Sequence, residues 1–377
     1  MRLGIDASNI RRDGVLTHLV EILKAARPLQ YGFKEVIVWG GEATLSRLED
    51  RSWLRKCHAR LLDGALPFRT YWQLFLRDRT VCRARCDVLF MPQSLHVGVT
   101  RPFVAMSQNL LPFEWNEAKR YGISWQLLRL ALLRRMQSKC FKGADGVIFL
   151  TEYARNRVLS VIGGMKGANT IIPHGINRKF IRSPRDQVNI AEYSERRPFR
   201  MLYVSTIDMY KHQWHVVEAV MSLRRLGFPL CLDLVGPAYS PALRRLRTSS
   251  PEDTLESRGI RYRGPIPYAE LPEIYQGADL FVYASSCENL PNILLEAMAA
   301  GLPVACSNRG PMPEVLSDGG VYFDPENPTE IAEAIRTLVD SPALRAEKAL
   351  AGFLRAQMYS WDRCASETFA FFASLSR

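Results

Sequence analysis

No Asp-x-Asp pair occurs anywhere in the 377-residue sequence. No Gly-x-Gly-x-x-Gly follows a strand-like run, so the fingerprint that brings a dinucleotide pyrophosphate against a helix start is absent. No apolar run approaches the ~20 residues that a membrane span needs. Met1-Arg2-Leu3-Gly4-Ile5-Asp6 reads directly as a strand, not as a signal peptide. The eight cysteines lack metal-ligand spacing. Cys82 and Cys86 are the closest pair and no His lies between or beside them, so reduced thiols in a cytoplasm are expected. There is no repeat at a solenoid period and no low-complexity tract. What remains is an ordinary globular composition, 47% hydrophobic and 23% charged, as soluble proteins have.

A chain of this length exceeds one core, so two domains are expected. The first half opens with a strand at Leu3–Asp6, a loop through Asp13-Gly14 and an amphipathic helix from about Leu16 to Ala26. The apolar runs Val36–Trp39, Val88–Met91, Val104–Ser107 and Gly146–Leu150 read as buried parallel strands. A helix follows over Glu152–Val161, and Ile171–Ile176 closes the half as a short strand and turn. The polar, turn-rich stretch Arg182–Arg197 fits a linker. A second strand series follows at Met201–Ser205, Leu230–Val235, Leu280–Ala284 and Val304–Ser307, and a last helix spans Trp361–Leu375. This alternation implies two doubly wound α/β domains, with ligands outside the carboxyl ends of the strands.

The net charge of +12 is concentrated in two runs. Between Arg51 and Cys86, nine Lys and Arg face only Asp63 and Asp78, with Trp53, Phe68, Tyr71, Trp72 and Phe75 interleaved. From Lys119 to Lys142 there are seven basic residues and no acid, and five leucines give this stretch the pattern of a basic helix with a wide apolar side. Both runs fit an anionic membrane surface, each basic residue contributing ~1 kcal/mol there. A solvated helix face packed on its apolar side is the alternative. Nucleic acid is not expected, since no RNP, zinc-finger or homeodomain pattern is present.

The run Cys287–Gly301 carries the most chemical information. Pro291 suits a first helical position, Gly301 a left-handed helix end, and Pro303 stops continuation. Glu288 then lies in the loop before the helix and Glu296 one to two turns inside it. Between them a helix start offers free N–H groups and a partial positive charge. Two acids flanking an anion site suit a ligand with hydroxyls on both sides of a phosphate bridge, as in a nucleotide-sugar.

The Glu-x7-Glu spacing, followed by Gly301-Leu302-Pro303-Val304 and Pro313-Glu314-Val315, resembles the retaining GT-B glycosyltransferases of family 4, also called group 1. The resemblance covers nearly the whole chain and is far stronger after Gly175. It implies two Rossmann-like domains facing a cleft: an acceptor-binding domain over 1–182, a nucleotide-sugar-binding domain over 183–358, and a helix over 359–377 returning to the first. It gives Glu288 the transferred sugar, Glu296 the ribose hydroxyls, and Lys211 the donor diphosphate. The amides of Asn289 and Leu290 fall on phosphate and sugar. Ser205-Thr206 stands where the family has Gly-Arg, which removes one cation from the phosphate clamp; a hydroxyl donates a hydrogen bond but brings no charge. Gly14 matches the glycine loop that approaches the donor phosphate, and Ile266 lies in the segment whose backbone meets the base. On the acceptor side, Gln108-Asn109 replaces a His-Asp pair, so general-base catalysis from there is not expected. His174 reads as structural and Glu314 as a capping acid.

The missing Asp-x-Asp argues against the metal clamp of the other large glycosyltransferase fold, and neither metal nor cofactor is expected; the nucleotide-sugar, a GDP- or UDP-linked hexose, is a substrate. The resemblance implies retaining hexosyl transfer to a hydroxyl of a glycan or lipid-linked acceptor, with mannose or rhamnose preferred. The setting would be lipopolysaccharide or O-antigen assembly, peripheral on the inner face of a bacterial cytoplasmic membrane. Two alternatives stay open: a nucleotide-sugar epimerase or hydrolase on the same fold, and a basic binding module whose transferase site has decayed.

Overall fold

The computed structural model describes residues 1–11, 13–94, 100–249 and 259–376. The chain separates into two units. The first comprises Met1–Trp115, Ile123–Gly175 and Ser360–Arg377; the second comprises Asn116–Gly122 and Ile176–Tyr359.

The first unit holds a seven-stranded sheet built from β1 (Arg2–Asp6), β2 (Glu35–Gly40), β3 (Leu54–His58), β4 (Val88–Met91), β5 (Phe103–Met106), β6 (Gly146–Phe149) and β7 (Ala168–Ile171). Their order is β3-β2-β1-β4-β5-β6-β7, and all pairings are parallel. The second unit repeats the plan with β8 (Phe199–Val204), β9 (Leu230–Val235), β10 (Ile260–Gly264), β11 (Leu280–Tyr283), β12 (Val304–Ser307) and β13 (Gly320–Phe323). There the order is β10-β9-β8-β11-β12-β13, again parallel throughout. Each sheet reverses its strand order once, beside β1 in the first and β8 in the second. Loops leaving the carboxyl ends of the two strands at such a point diverge and leave a crevice. In the second unit those are the loops after β8 and β11.

Interior strands are buried on both faces, so they read as apolar runs and their positions agree with the sequence expectations. Edge strands differ. β3 and β10 alternate between half-buried and exposed positions, and β13 is only four residues long. β3 and β10 carry no apolar run and β13 is a short one, Val321-Tyr322-Phe323, with Val321 and Tyr322 only partly buried, so none of the three is among the expected strands. β7 is an edge strand too, and it lies at Ala168–Ile171 with an exposed first half, earlier than the Ile171–Ile176 segment expected.

Three further expectations are corrected. Gly14 does not lie in a loop: it is the second residue of the helix Asp13–Ala25. Gly is tolerated in a first helical turn, where backbone N–H groups have no intrahelical partner anyway. The stretch 182–197 is not a free linker. Arg185 donates to the carbonyl of Gln276 and the carboxylate of Asp279, Tyr193 donates to Asp279 at 3.0 Å, and Arg345 donates to the side chain of Gln187 at 3.0 Å. Its polar residues are anchors on the second unit. The basic stretch from Lys119 to Lys142 is not one helix either. A short turn at Lys119–Tyr121 ends at Gly122, whose φ is +62°. A new helix, Trp125–Gly143, then begins with the Ser124 hydroxyl accepting from the amide of Leu127.

Candidate active site

The structure brings Lys211 and Glu288 together at the reversal point of the second sheet. Lys211 lies in the loop after β8 and Glu288 in the loop after β11. The buried Lys211 ammonium donates to Oε1 of Glu288 and to the hydroxyl of Tyr283 at 3.2 Å. The same carboxylate oxygen accepts from Ser285 at 2.7 Å and from the Tyr283 hydroxyl. An ammonium inside a protein needs a counter-charge, and Glu288 supplies it. Burial, then the charge of Glu288, push the Tyr283 phenol well above its ordinary range, so it stays protonated and can only donate to the carboxylate. Tyr203, fully buried on β8, donates to the carbonyl of Lys211 and fixes the loop from below.

Glu296 sits five residues into the helix Asn292–Ala299 and is 5% exposed. Pro291 takes the position just before the helix, one residue earlier than expected, and Gly301 ends it in the left-handed region at φ +69°. Tyr275 donates to Oε2 of Glu296 at 3.0 Å. Burial pushes the Glu296 carboxyl up to about 7, against the lowering pull of Tyr275, Tyr268 and Lys179. Lys179 lies over the Tyr268 ring, 3.6 Å from its centre, and donates to the Tyr268 carbonyl at 2.7 Å. Two carboxylates thus stand on either side of one helix start. One is matched to an ammonium and the other is held near its titration point.

Asn289 and Leu290 occupy the turn between them, and both are buried. Ser205 follows β8 directly, with its amide bonded to the carbonyl of Val235 at 2.8 Å. Gly236 lies so close that a Cβ there would fall 2.2 Å from the Ser205 carbonyl oxygen. Thr206 is exposed, and its carbonyl accepts from Gln213 at 2.9 Å. Ile266 is half-buried in the loop after β10, beyond Gly264, whose carbonyl accepts from the amide of Gly236 at 2.9 Å. Lys211, Glu288, Asn289, Leu290, Glu296, Ser205, Thr206 and Ile266 therefore all belong to the second unit.

Gly14, Gln108 and Asn109 belong to the first unit. Gln108 lies 3.5 Å from Nδ1 of His18, which is fully buried and stacked on His174. Asn109 turns its side-chain oxygen back to the amide of Leu111 at 3.2 Å. Gly14 is exposed on its helix.

Sequence reasoning missed Tyr283, Ser285, Tyr275 and Lys179. The first two fall inside an apolar strand run and its exit, where Tyr and Ser read as strand residues. Polar groups in a buried run were the available signal, because a buried hydroxyl needs a partner.

Residues 150–351, more than half of the chain, match the family described as glycosyl transferases group 1. The chain belongs to that family, and its fold is the GT-B type with two Rossmann-like domains. O-antigen chain mannosyltransferase B of Escherichia coli is 31% identical over 170 residues, 44% of either chain. The chain spans 24–58% of the length of the curated relatives it first matches. Among solved structures, sucrose-phosphate synthase from Thermosynechococcus elongatus superposes with a TM-score of 0.75 over 100% of this chain and 99% of that one, at 17% identity. Anabaena Alr3699/HepE, in complex with UDP and glucose, gives 0.69 over 100% of both chains at 18% identity.

Proposed function

We propose that the protein is a retaining, metal-independent hexosyltransferase that moves a sugar from a nucleotide diphosphate donor to a hydroxyl of a glycan or lipid-linked acceptor. The observation that carries this reading is the convergence of Lys211 and Glu288 at the sheet reversal, with Glu296 on the helix that follows. Glu296 would accept from the ribose hydroxyls. The Lys211 ammonium and the amides of Asn289 and Leu290 would hold the diphosphate, and Glu288 would accept from hydroxyls of the sugar. A bound diphosphate competes with Glu288 for Lys211, which frees that carboxylate for the sugar.

In the transfer step the acceptor oxygen bonds to the anomeric carbon while the bond from that carbon to the phosphate oxygen breaks. Gln108 cannot take up a proton in the physiological range. The acceptor proton therefore passes to the departing phosphate oxygen on the same face, and the configuration is retained. Positioning and stabilisation of the diphosphate then supply most of the rate. The relatedness to an O-antigen mannosyltransferase favours mannose on GDP within cell-surface polysaccharide assembly; rhamnose and UDP-linked sugars are the other donors to test.

The first unit is the proposed seat of peripheral attachment to the inner face of a bacterial cytoplasmic membrane. Leu66, Phe68, Tyr71, Leu74 and Phe75 are each 46–60% exposed along one helical segment. Arg79, Arg83 and Arg85 are exposed after it. The charge available there is smaller than the bare count, because Arg77 is fully buried against Asp6 and Arg55 and Lys56 pair with Glu35 and Asp50. Among the described residues no helix is long and apolar enough to cross a membrane. Apolar and aromatic side chains beside arginines fit the interface of an anionic leaflet.

Product analysis tests the assignment. The protein is incubated with GDP- and UDP-hexoses, with and without a polysaccharide or polyprenyl-linked acceptor. Acceptor-dependent product with retained anomeric configuration is expected. Free hexose or an epimerised donor without acceptor would reassign the site to a hydrolase or epimerase. No binding of any nucleotide-sugar would leave a binding module.

A further inference from the structure

One segment of the second unit comes from far outside it in sequence. Asn116–Gly122 packs there although Trp115 and Ile123, its neighbours on both sides, belong to the first unit. Its polar side chains reach three separate loops, each leaving the carboxyl end of a strand. Tyr121 donates to Oδ1 of Asp208, in the loop after β8, at 2.7 Å. Ser286, in the loop after β11, donates to Oε2 of Glu117 at 2.5 Å. Arg120 makes a two-pronged contact with Glu326, which follows β13, at 2.5 and 2.9 Å, and also donates to Glu117 at 2.7 Å. Glu117 is 8% exposed and Ser286 6%. The loops are stitched to one another at the same point. The Ser286 amide bonds the carbonyl of Tyr210 at 2.9 Å, and the Ser286 hydroxyl lies 3.0 Å from Nε2 of His212. His212 is fully buried, in the left-handed region at φ +51°. Burial first, then the charge of Arg120, lower its imidazole to about 3, so it is a neutral structural partner.

Asp208 stands three residues before Lys211, and Ser286 two residues before Glu288. We infer that the strap Asn116–Gly122 is a positioning device that sets the spacing between Lys211 and Glu288, with Glu117 and Tyr121 as its positioning residues. Neither touches the pair directly; each holds the loop that presents one member. The strap acts as a unit because Arg120 ties Glu117 to a third fixed point, and charge-assisted networks of this kind lose more than one bond when a member is removed. A small displacement between two groups that must grip one diphosphate-sugar costs turnover more than it costs nucleotide binding, to which Glu296, outside both loops, also contributes.

This inference rests on the proposed transferase site, and its test has one arm that does not. Tyr121→Phe removes a single hydroxyl and keeps the ring against Tyr239; Glu117→Gln keeps the shape and removes the charge. In hydrogen exchange of the full-length protein, each variant is expected to lose protection at residues 205–212 and 284–291, with the remaining sheet unchanged. With a nucleotide-sugar, kcat is expected to fall about 10-fold or more in each variant while the donor KM changes less than 2-fold. The double variant should fall by less than the product of the two, because both act through one strap. Wild-type exchange in both loops and wild-type kcat in the double variant would overturn the inference. So would a uniform loss of protection with kcat per folded molecule unchanged, which marks a purely structural role. Absence of turnover in the wild-type protein would instead count against the transferase reading, and the exchange arm would still decide the strap.

Discussion

The Tyr275 hydroxyl lies 3.0 Å from Oε2 of Glu296, and that one bond does not offset the burial that lifts the Glu296 carboxyl to about 7. In the unfolded chain the same group titrates near 4.5. Below that value both states carry the proton and the residue contributes no pH dependence. Between about 4.5 and 7 the unfolded state releases the proton while the folded state keeps it, so stability falls as pH rises, by on the order of 3 kcal/mol. Glu296→Gln should remove this slope. Urea unfolding at pH 5 and pH 8 measures it: the wild type should lose more stability across that interval than the variant.

Nucleotide binding inherits the same titration. Ribose hydroxyls donate best to an ionised carboxylate, so a donor should bind more tightly as pH rises from 6 to 8 and should release a proton on binding below pH 7. Calorimetry in buffers of different ionisation enthalpy reads that proton directly. A pH-independent affinity would remove Glu296 from the ribose site.

Lys211→Ala should lower turnover by at least about 100-fold, roughly the effect of removing one group that stabilises transition-state charge. The fold should lose stability as well, because the largely buried Glu288 carboxylate loses its counter-charge and keeps only the Ser285 and Tyr283 hydroxyls as donors. Glu288→Gln should likewise lower kcat strongly. Steady-state kinetics alongside thermal unfolding separate the two effects; wild-type turnover in both variants would move the chemistry elsewhere.

The interior of both sheets and the placement of Glu288 and Glu296 around a helix start were legible in the sequence for one physical reason. A parallel strand covered on both faces must be apolar throughout, and a loop-to-helix junction bounded by Pro291 and Gly301 announces its ends. Edge strands such as β3 and β10 are covered on one side only, so charged residues such as Arg55 and Arg261 interrupt them. The surroundings of the acids were not legible, because Lys179 and Tyr275 reach Glu296 only through the fold. The strap escaped notice for a related reason. Arg120 and Tyr121 open the run read as a basic helix and Glu117 lies just before it, so their charge pattern pointed to a surface, while their partners come from the far half of the chain.

Gly175 tests the packing of the terminal helix Trp361–Leu375. A Cβ at this position would fall 2.1 Å from the backbone nitrogen of Trp361, a contact that no side-chain rotation relieves. Gly175→Ala should destabilise the first unit by roughly 1–3 kcal/mol, the usual cost of overpacking, with nucleotide binding retained. Denaturant unfolding followed by circular dichroism checks it, and an unchanged midpoint would mean that the helix start moves freely.

The most direct test of the donor site is calorimetric titration of the protein with GDP, UDP and their hexose conjugates, repeated with Glu296→Ala. The account predicts selective binding of one nucleotide diphosphate, weakened about 10- to 100-fold in the variant through loss of a charged hydrogen-bond acceptor. No binding by the wild type, or equal affinity in the two proteins, would contradict the assignment of the second unit as a nucleotide-sugar domain with Glu296 on the ribose.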